Sequence, residues 1–197
     1  MNLNRQAGMT LIELMIGIVL LAILLALGAP TFFRWTQNSQ IRNAAEAIQN
    51  GLTLARAEAV RRNTTVRFQL VTTTTASCAL SPTGTNWVVN VPTLLNNSPA
   101  GACDAAPSDD VAPRIIQVRA AAEGSRNAAV NGNGVSWINF NGMGQASVAA
   151  TIDVTNPTGG NCATAAGPMR CMSVRVATGG QIRMCDPARA ATDPQGC

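Results

Sequence analysis

Between residues 9 and 33 the chain carries one ionisable side chain, Glu13, within the run "GMTLIELMIGIVLLAILLALGAP" of residues 8–30. About 20 apolar residues, rising about 1.5 Å each, cross the hydrocarbon core of a bilayer as a helix. This stretch therefore predicts a transmembrane helix over 9–33. A secretory signal fits poorly, because its apolar core runs to only about 7–15 residues, holds no acid and ends at a small-residue cleavage site. Here the polar leader is only "MNLNRQAG", residues 1–8. A carboxylate in hydrocarbon costs on the order of 2.5–3.5 kcal/mol, so Glu13 needs a partner or a place from which it reaches the headgroups. A cut after Gly8 would make Met9 a new α-amine four residues before Glu13. An ammonium and a carboxylate at that spacing meet within one helix or between neighbouring copies of it, which offsets the desolvation cost.

The helix is expected to continue into water. Ile41, Ala44, Ala45, Ile48, Leu52, Ala55 and Ala59 recur at steps of three and four, while Arg42, Glu46, Gln49 and Arg56 fall elsewhere on the helix. This gives an amphipathic helix over 34–63. Arg61 and Arg62 suit the negative end of the helix dipole, and Asn63 is a reasonable terminator. Pro30 removes a backbone hydrogen bond and, with Gly28 before it, predicts a weak point. Two readings stay open there, a static kink and a segment that unwinds when helices pack.

Residues 64–197 hold the strand signals "TTVRFQLVT", "NWVVNV", "RIIQVR", "VSWINFN", "SVAATIDVT", "RCMSVRVA" and "QIRMC", separated by Pro, Gly and Asn clusters. The fold class is α+β, a long N-terminal helix packed on an antiparallel β domain. Two loops, 94–110 and 156–168, are too long for simple turns and are where recognition usually sits. The "TTTTA" tract after Val71 reads as a strand fraying into a loop.

Composition removes most chemistry. The chain has no His and no Tyr, all 14 of its basic residues are Arg, and its net charge is +4. Ser-His-Asp, Cys-His and His-ligated metal sites are excluded, no enzyme is expected, and no cofactor or metal is called for. So small a positive surplus does not argue nucleic-acid binding by itself. Six cysteines, Cys78, Cys103, Cys162, Cys171, Cys185 and Cys197, all lie beyond the helix. An even count in a segment that the membrane helix places outside the cytoplasm reads as disulfides, whereas zinc would want tight CxxC pairs. Pairing each with its neighbour (78 with 103, 162 with 171, 185 with 197) closes Gly/Pro-rich loops, although sequence does not decide connectivity.

One local pattern could contact a ligand. In "RVATGGQIRMC", placing Val176 opposite Ile182 and Val174 opposite Met184 buries four apolar side chains and requires the three-residue turn Thr178-Gly179-Gly180. Arg175 then faces Arg183, a like-charge pair that either splays into water or receives an anion.

The N-terminal run resembles the class III signal of type IV pilins and type II secretion pseudopilins, with Gly8 ending the leader, Glu13 in "TLIEL" at the family's acid position and Pro30 inside the helix. Met9 stands where Phe is usual. The stretch "NSQIRNAAEAIQNGLTLARAEAVRRNTTVRF" resembles the FimT/FimU/GspH branch of minor pilins and pseudopilins. The resemblance covers roughly the first 70 residues and implies cleavage after Gly8 by a prepilin peptidase, N-methylation of Met9 and assembly through Glu13 and Pro30. It also implies other minor pilins, the major pilin and an inner-membrane assembly platform as partners. The implied location is the bacterial inner membrane, single-pass, with residues 64–197 in the periplasm and at the pilus tip after assembly. The leading expectation is a minor type IV pilin of the initiating or tip complex. The alternatives are a type II secretion pseudopilin and a DNA-binding minor pilin for transformation. DNA-uptake members carry a Gly-Arg-x-Arg motif, and here Gly180, Gln181, Ile182 and Arg183 keep only the last Arg. Arg175 across the hairpin is the substitute for the missing one.

Overall fold

A computed structural model describes residues 9–92, 99–120 and 123–197. Helix α1 spans Leu11–Arg62, and the chain divides into two compact units, one ending at Thr36 and the other running Gln37–Cys197. Within the first unit every described residue up to Trp35 is exposed. The helix there is long and apolar enough to cross a membrane. Gly28, Ala29 and Pro30 are all helical, so Pro30 does not interrupt α1 in this state.

The second unit begins with the remainder of α1, whose inward face carries the small and branched residues the periodicity picked out. Ile41, Ala45, Leu52, Ala55 and Ala59 have no exposed surface, and Ala44 and Ile48 are buried with them. The helix ends in a Schellman arrangement: Thr64 N donates to Ala59 O (3.1 Å), Asn63 N donates to Val60 O (3.3 Å), and Asn63 takes a positive φ of 47°. Asn tolerates that left-handed conformation better than most residues, which is why the helix stops at "RRN".

Among the described residues eight strands follow in two antiparallel four-stranded sheets. The first contains β1 (Val66–Val71), β2 (Asn86–Asn90), β3 (Ile115–Arg119) and β5 (Trp137–Phe140) in the order β3-β2-β1-β5. The second contains β4 (Ala129–Asn131), β6 (Ala150–Thr155), β7 (Met172–Val176) and β8 (Ile182–Cys185) in the order β4-β6-β7-β8. Strand β1 is buried at all six positions because it lies central in its sheet and both of its faces are covered. Val66, Phe68 and Leu70 join the α1 residues in the main core, while Val71 joins Val88, Ile115, Cys78 and Cys103 in a smaller apolar cluster. The side chain of Phe68 packs on Trp87 with ring centroids 5.8 Å apart.

Three disulfides tie the periphery: Cys78–Cys103, Cys162–Cys171 and Cys185–Cys197. Each closes a loop of neighbouring cysteines and restricts the unfolded chain, an effect of about 2–4 kcal/mol per bridge. Of the loop expected over 94–110, residues 94–98 lie outside the described residues. Its described remainder is fastened at the helix end, where Arg62 pairs with Asp109, rather than standing free for recognition. The second long loop is also held down: Asn156 Nδ2 donates to Gln37 Oε1 at 2.6 Å, and Arg170 N donates to Asn38 Oδ1 at 2.7 Å. Strand β4 was not among the seven strands expected from sequence. Its three residues pair with β6 through Ala129–Thr155, Val130–Val154 and Asn131–Asp153.

Candidate assembly helix and arginine hairpin

Gly8, the expected cleavage position, lies outside the described residues, and Met9 is exposed. Two residues further on, the chain turns into helix with Thr10 as its cap. Thr10 Oγ1 accepts from Glu13 N at 3.3 Å, and Thr10 O accepts from Leu14 N at 3.2 Å. Glu13 is thus the third residue of α1, and "TLIE" has the Thr-x-x-Glu spacing of a capping box before an apolar run, with the Thr10 half of it formed. The sequence reading missed this, although the pattern is legible in the string. Near the helix start a carboxylate also meets the positive end of the macrodipole. Glu13 therefore has two physical roles open to it, local capping and pairing with an α-amine.

At the far end of α1, Glu58 gathers both terminal arginines. Arg61 Nη2 lies 2.6 Å and Arg62 Nε 2.7 Å from Glu58 Oε2, and Arg62 also reaches Asp109. The hydrogen bond from Arg61, with a second from Arg62, holds the Glu58 carboxyl below its ordinary range against an opposing desolvation. A depressed carboxyl adds stability that is present above its unfolded pKa and lost as pH falls through its folded pKa. The melting temperature of the unsubstituted chain should exceed that of Glu58→Gln at neutral pH, and the difference should shrink as pH falls below the ordinary carboxylate range and vanish once it is below the lowered folded pKa. A gap that persists undiminished at acid pH would contradict the pairing.

Strands β7 and β8 adopt the register the alternation predicts: Val174 opposite Met184, Arg175 opposite Arg183, and Val176 opposite Ile182. Ala177 N donates to Gln181 O (2.9 Å), enclosing the turn Thr178-Gly179-Gly180. Burial is less complete than expected, since Val174 and Val176 are buried while Ile182 and Met184 are only partly so. Gly180 has φ of +82°, and a Cβ there would come within 1.8 Å of Gly144 O. The glycine is required by the close approach of two turns, independently of any binding motif.

Each arginine of the pair gives one guanidinium donor to a backbone carbonyl, while both side chains stay exposed and, with Ala177 and Gln181, line a cleft of about 230 Å³. The Cys185–Cys197 bridge folds the following segment back along the hairpin. There Arg175 Nη1 donates to Cys197 O at 2.6 Å, and Arg183 Nη2 donates to Gly196 O at 3.1 Å. Two backbone carbonyls thus share the pair, and each guanidinium keeps donors beyond the one it spends. Sequence reasoning missed this because the carbonyls belong to a segment without strand or motif signal. Among the described residues no group of three or more His, Cys, Asp or Glu is arranged to hold a metal ion.

Residues 44–180 match the family described as Type II transport protein GspH. The chain belongs to the GspH family. Residues 3–29 match the prokaryotic N-terminal methylation motif, which brings Gly8, Met9 and Glu13 under one signature. The crystal structure of the type IV minor pilin FimU of Pseudomonas aeruginosa (strain PAO1) in space group P21 aligns with a TM-score of 0.50 and 14% identity, covering 80% of this chain and 97% of that one. Its form in space group P65 gives 0.49 and 13%, covering 77% and 97%. At such identity the first likeness shows the shared pilin fold, one long helix on antiparallel sheets. No curated protein matches the chain significantly. As a GspH-family subunit it is of the structural pilin and pseudopilin kind, a class that assembles with other pilins after processing by a prepilin peptidase.

Proposed function

We infer that this GspH-family chain is a minor type IV pilin that enters the initiating or tip complex of a pilus through its N-terminal helix. The observation that carries the reading is the uncovered apolar face of α1 with its lone carboxylate. Leu11, Ile12, Leu14, Met15, Ile16, Ile18, and the large apolar residues beyond them to Leu27, are all at least half exposed, and Glu13 sits in the first turn of the helix. Such a surface needs lipid before assembly and neighbouring helices after it. In this reading residues 1–8 are the leader, 9–33 the transmembrane helix, 34–63 the amphipathic half, and 64–197 a periplasmic domain held by disulfides. Gly28 and Pro30 then lie where the helix adjusts on packing. Mass spectrometry of membrane-extracted protein should find N-methylated Met9 as the first residue, and an intact 1–8 leader in assembled material would overturn the processing step. Deleting the gene should reduce surface pili while leaving protein export intact.

The family match favours a second reading, a type II secretion pseudopilin that uses the same helix and the same Glu13. Loss of exported protein with normal piliation in the deletion strain would select it. The transformation reading rests on Arg175 and Arg183, which line one cleft and each give one donor to a backbone carbonyl.

A further inference from the structure

A cleft of about 610 Å³ opens where the turn of the β7–β8 hairpin meets the β5–β6 connection, lined by Thr65, Asn139, Gln145, Ser147, Thr178 and Gly179 among others. Backbone bonds from Ala146 N to Thr178 O (2.9 Å) and from Ser147 N to Asn139 O (2.8 Å) fix its walls against each other. None of the described residues lining it is ionisable. Its polar groups are oriented partly by bonds to one another, and each keeps a donor beyond those bonds. Arg67 Nε donates to Asn139 Oδ1 at 2.6 Å, so the capacity left to that amide is its Nδ2 donor. Asn141 Nδ2 donates to Gln145 Oε1 at 3.0 Å, leaving the Gln145 Nε2 donor in the same way. Ser147 Oγ accepts from Asn139 N at 3.1 Å and retains its hydroxyl hydrogen. The hydroxyls of Thr65 and Thr178 complete the set.

We propose that this cleft is a binding site for a neutral saccharide. The volume falls in the range of small-ligand sites, about 300–1,000 Å³. An apolar ligand would leave oriented amides and hydroxyls unpaired on desolvation, which is costly. A charged ligand would find no opposite charge in the lining. Sugar hydroxyls both donate and accept, and they match a wall of amide donors and hydroxyls without net charge. Trp137 stands outside the lining, two residues from Asn139 on the same face of β5, with 39% of its surface exposed and the Arg67 guanidinium over its ring at 4.4 Å from the centroid.

The test uses the full chain in nanodiscs of uncharged lipid, because detergents with sugar headgroups would compete. Calorimetric titration with lactose, maltotriose and chitobiose should give saturable binding of at least one. Its affinity should be unchanged between about 0.05 and 0.5 M salt, since no charges are paired. Thr178→Val removes a hydroxyl at constant shape, and Gly179→Phe fills the cleft mouth from a position whose Cβ meets nothing within 4 Å. Each should weaken binding about tenfold or more, the loss of roughly 1.4 kcal/mol expected for a deleted hydrogen bond or a blocked subsite. The melting temperature should be unchanged in both. Absence of saturable binding to all three sugars, or undiminished binding in both variants, would overturn the assignment. So would binding confined to an acidic trisaccharide such as trigalacturonate and weakening with salt.

Discussion

Glu13→Ala is expected to leave the chain in the membrane and to abolish its incorporation into filaments. Removing a carboxylate from hydrocarbon favours insertion by about 2.5 kcal/mol or more, so fractionation should find the variant with the membrane at undiminished levels. If the chain is cut after Gly8 as proposed, assembly should fail because helices packed side by side still hold a cationic α-amine at Met9, now with no anion to meet it. An unpaired buried charge costs several kcal/mol. Glu13→Gln separates the two roles that the geometry allows. Alanine keeps the bond from the residue-13 backbone N–H to Thr10 Oγ1, whereas glutamine also keeps a side-chain oxygen that can reach back to the Thr10 N–H, and it carries no charge. If pairing with the amine drives assembly, Gln fails as Ala does; if capping is the requirement, Gln restores filaments. Counting filaments in a strain lacking the native copy reads the outcome, and wild-type numbers from Glu13→Ala would refute the amine pairing and leave the carboxylate no role in assembly.

The largest expected stability effect is at Phe68→Ala. Phe68 has no exposed surface and lies at the centre of the main core. Removing a buried phenyl costs about 3–5 kcal/mol, the lost transfer energy plus the cavity left behind. For a chain of this length that lowers the melting temperature by roughly 10 °C. Gly51 faces it from the helix. A Cβ at Gly51 would lie 2.8 Å from the Phe68 ring and 3.0 Å from the indole of Trp87, both fixed in the core. Gly51→Leu should therefore destabilise by about 1–3 kcal/mol through overpacking, despite a gain in helix propensity of about 1 kcal/mol. The double variant should be more stable than the two losses added together, because the leucine enters the space the phenyl vacates. Simple additivity in thermal melts would mean that helix and sheet do not meet at these two residues.

Much of the architecture is legible in the string because it depends on local periodicity. The buried face of α1 follows from apolar residues at steps of three and four, and Ile41 to Ala59 need only their neighbours in sequence to define it. Likewise the β7–β8 register follows from alternation, since a slip of one residue would turn Val174 and Val176 out of the core. Strand β4 carried no such signal. Ala129–Asn131 is a strand only because β6 lies beside it with unpaired backbone groups. Strand β1 shows the complementary limit. Its alternation marks one buried face, whereas the loop tied by Cys78–Cys103 covers the other and buries Val71.

What the sequence determined by itself is the anchor, its single acid and the helix-to-sheet order, all properties of residues close along the chain. Only the tertiary structure decided the surroundings of the arginine pair. The spacing of Arg175 and Arg183 sets two guanidiniums opposite each other, but their partners, the carbonyls of Cys197 and Gly196, come from 22 and 13 positions away through a disulfide turn. The same holds for the uncharged cleft, whose walls come from the start of β1, from the β5–β6 connection and from the turn at Thr178. Hydrogen-bonding groups so far apart in sequence have no common period, and they become one surface only when two sheets close on the same helix.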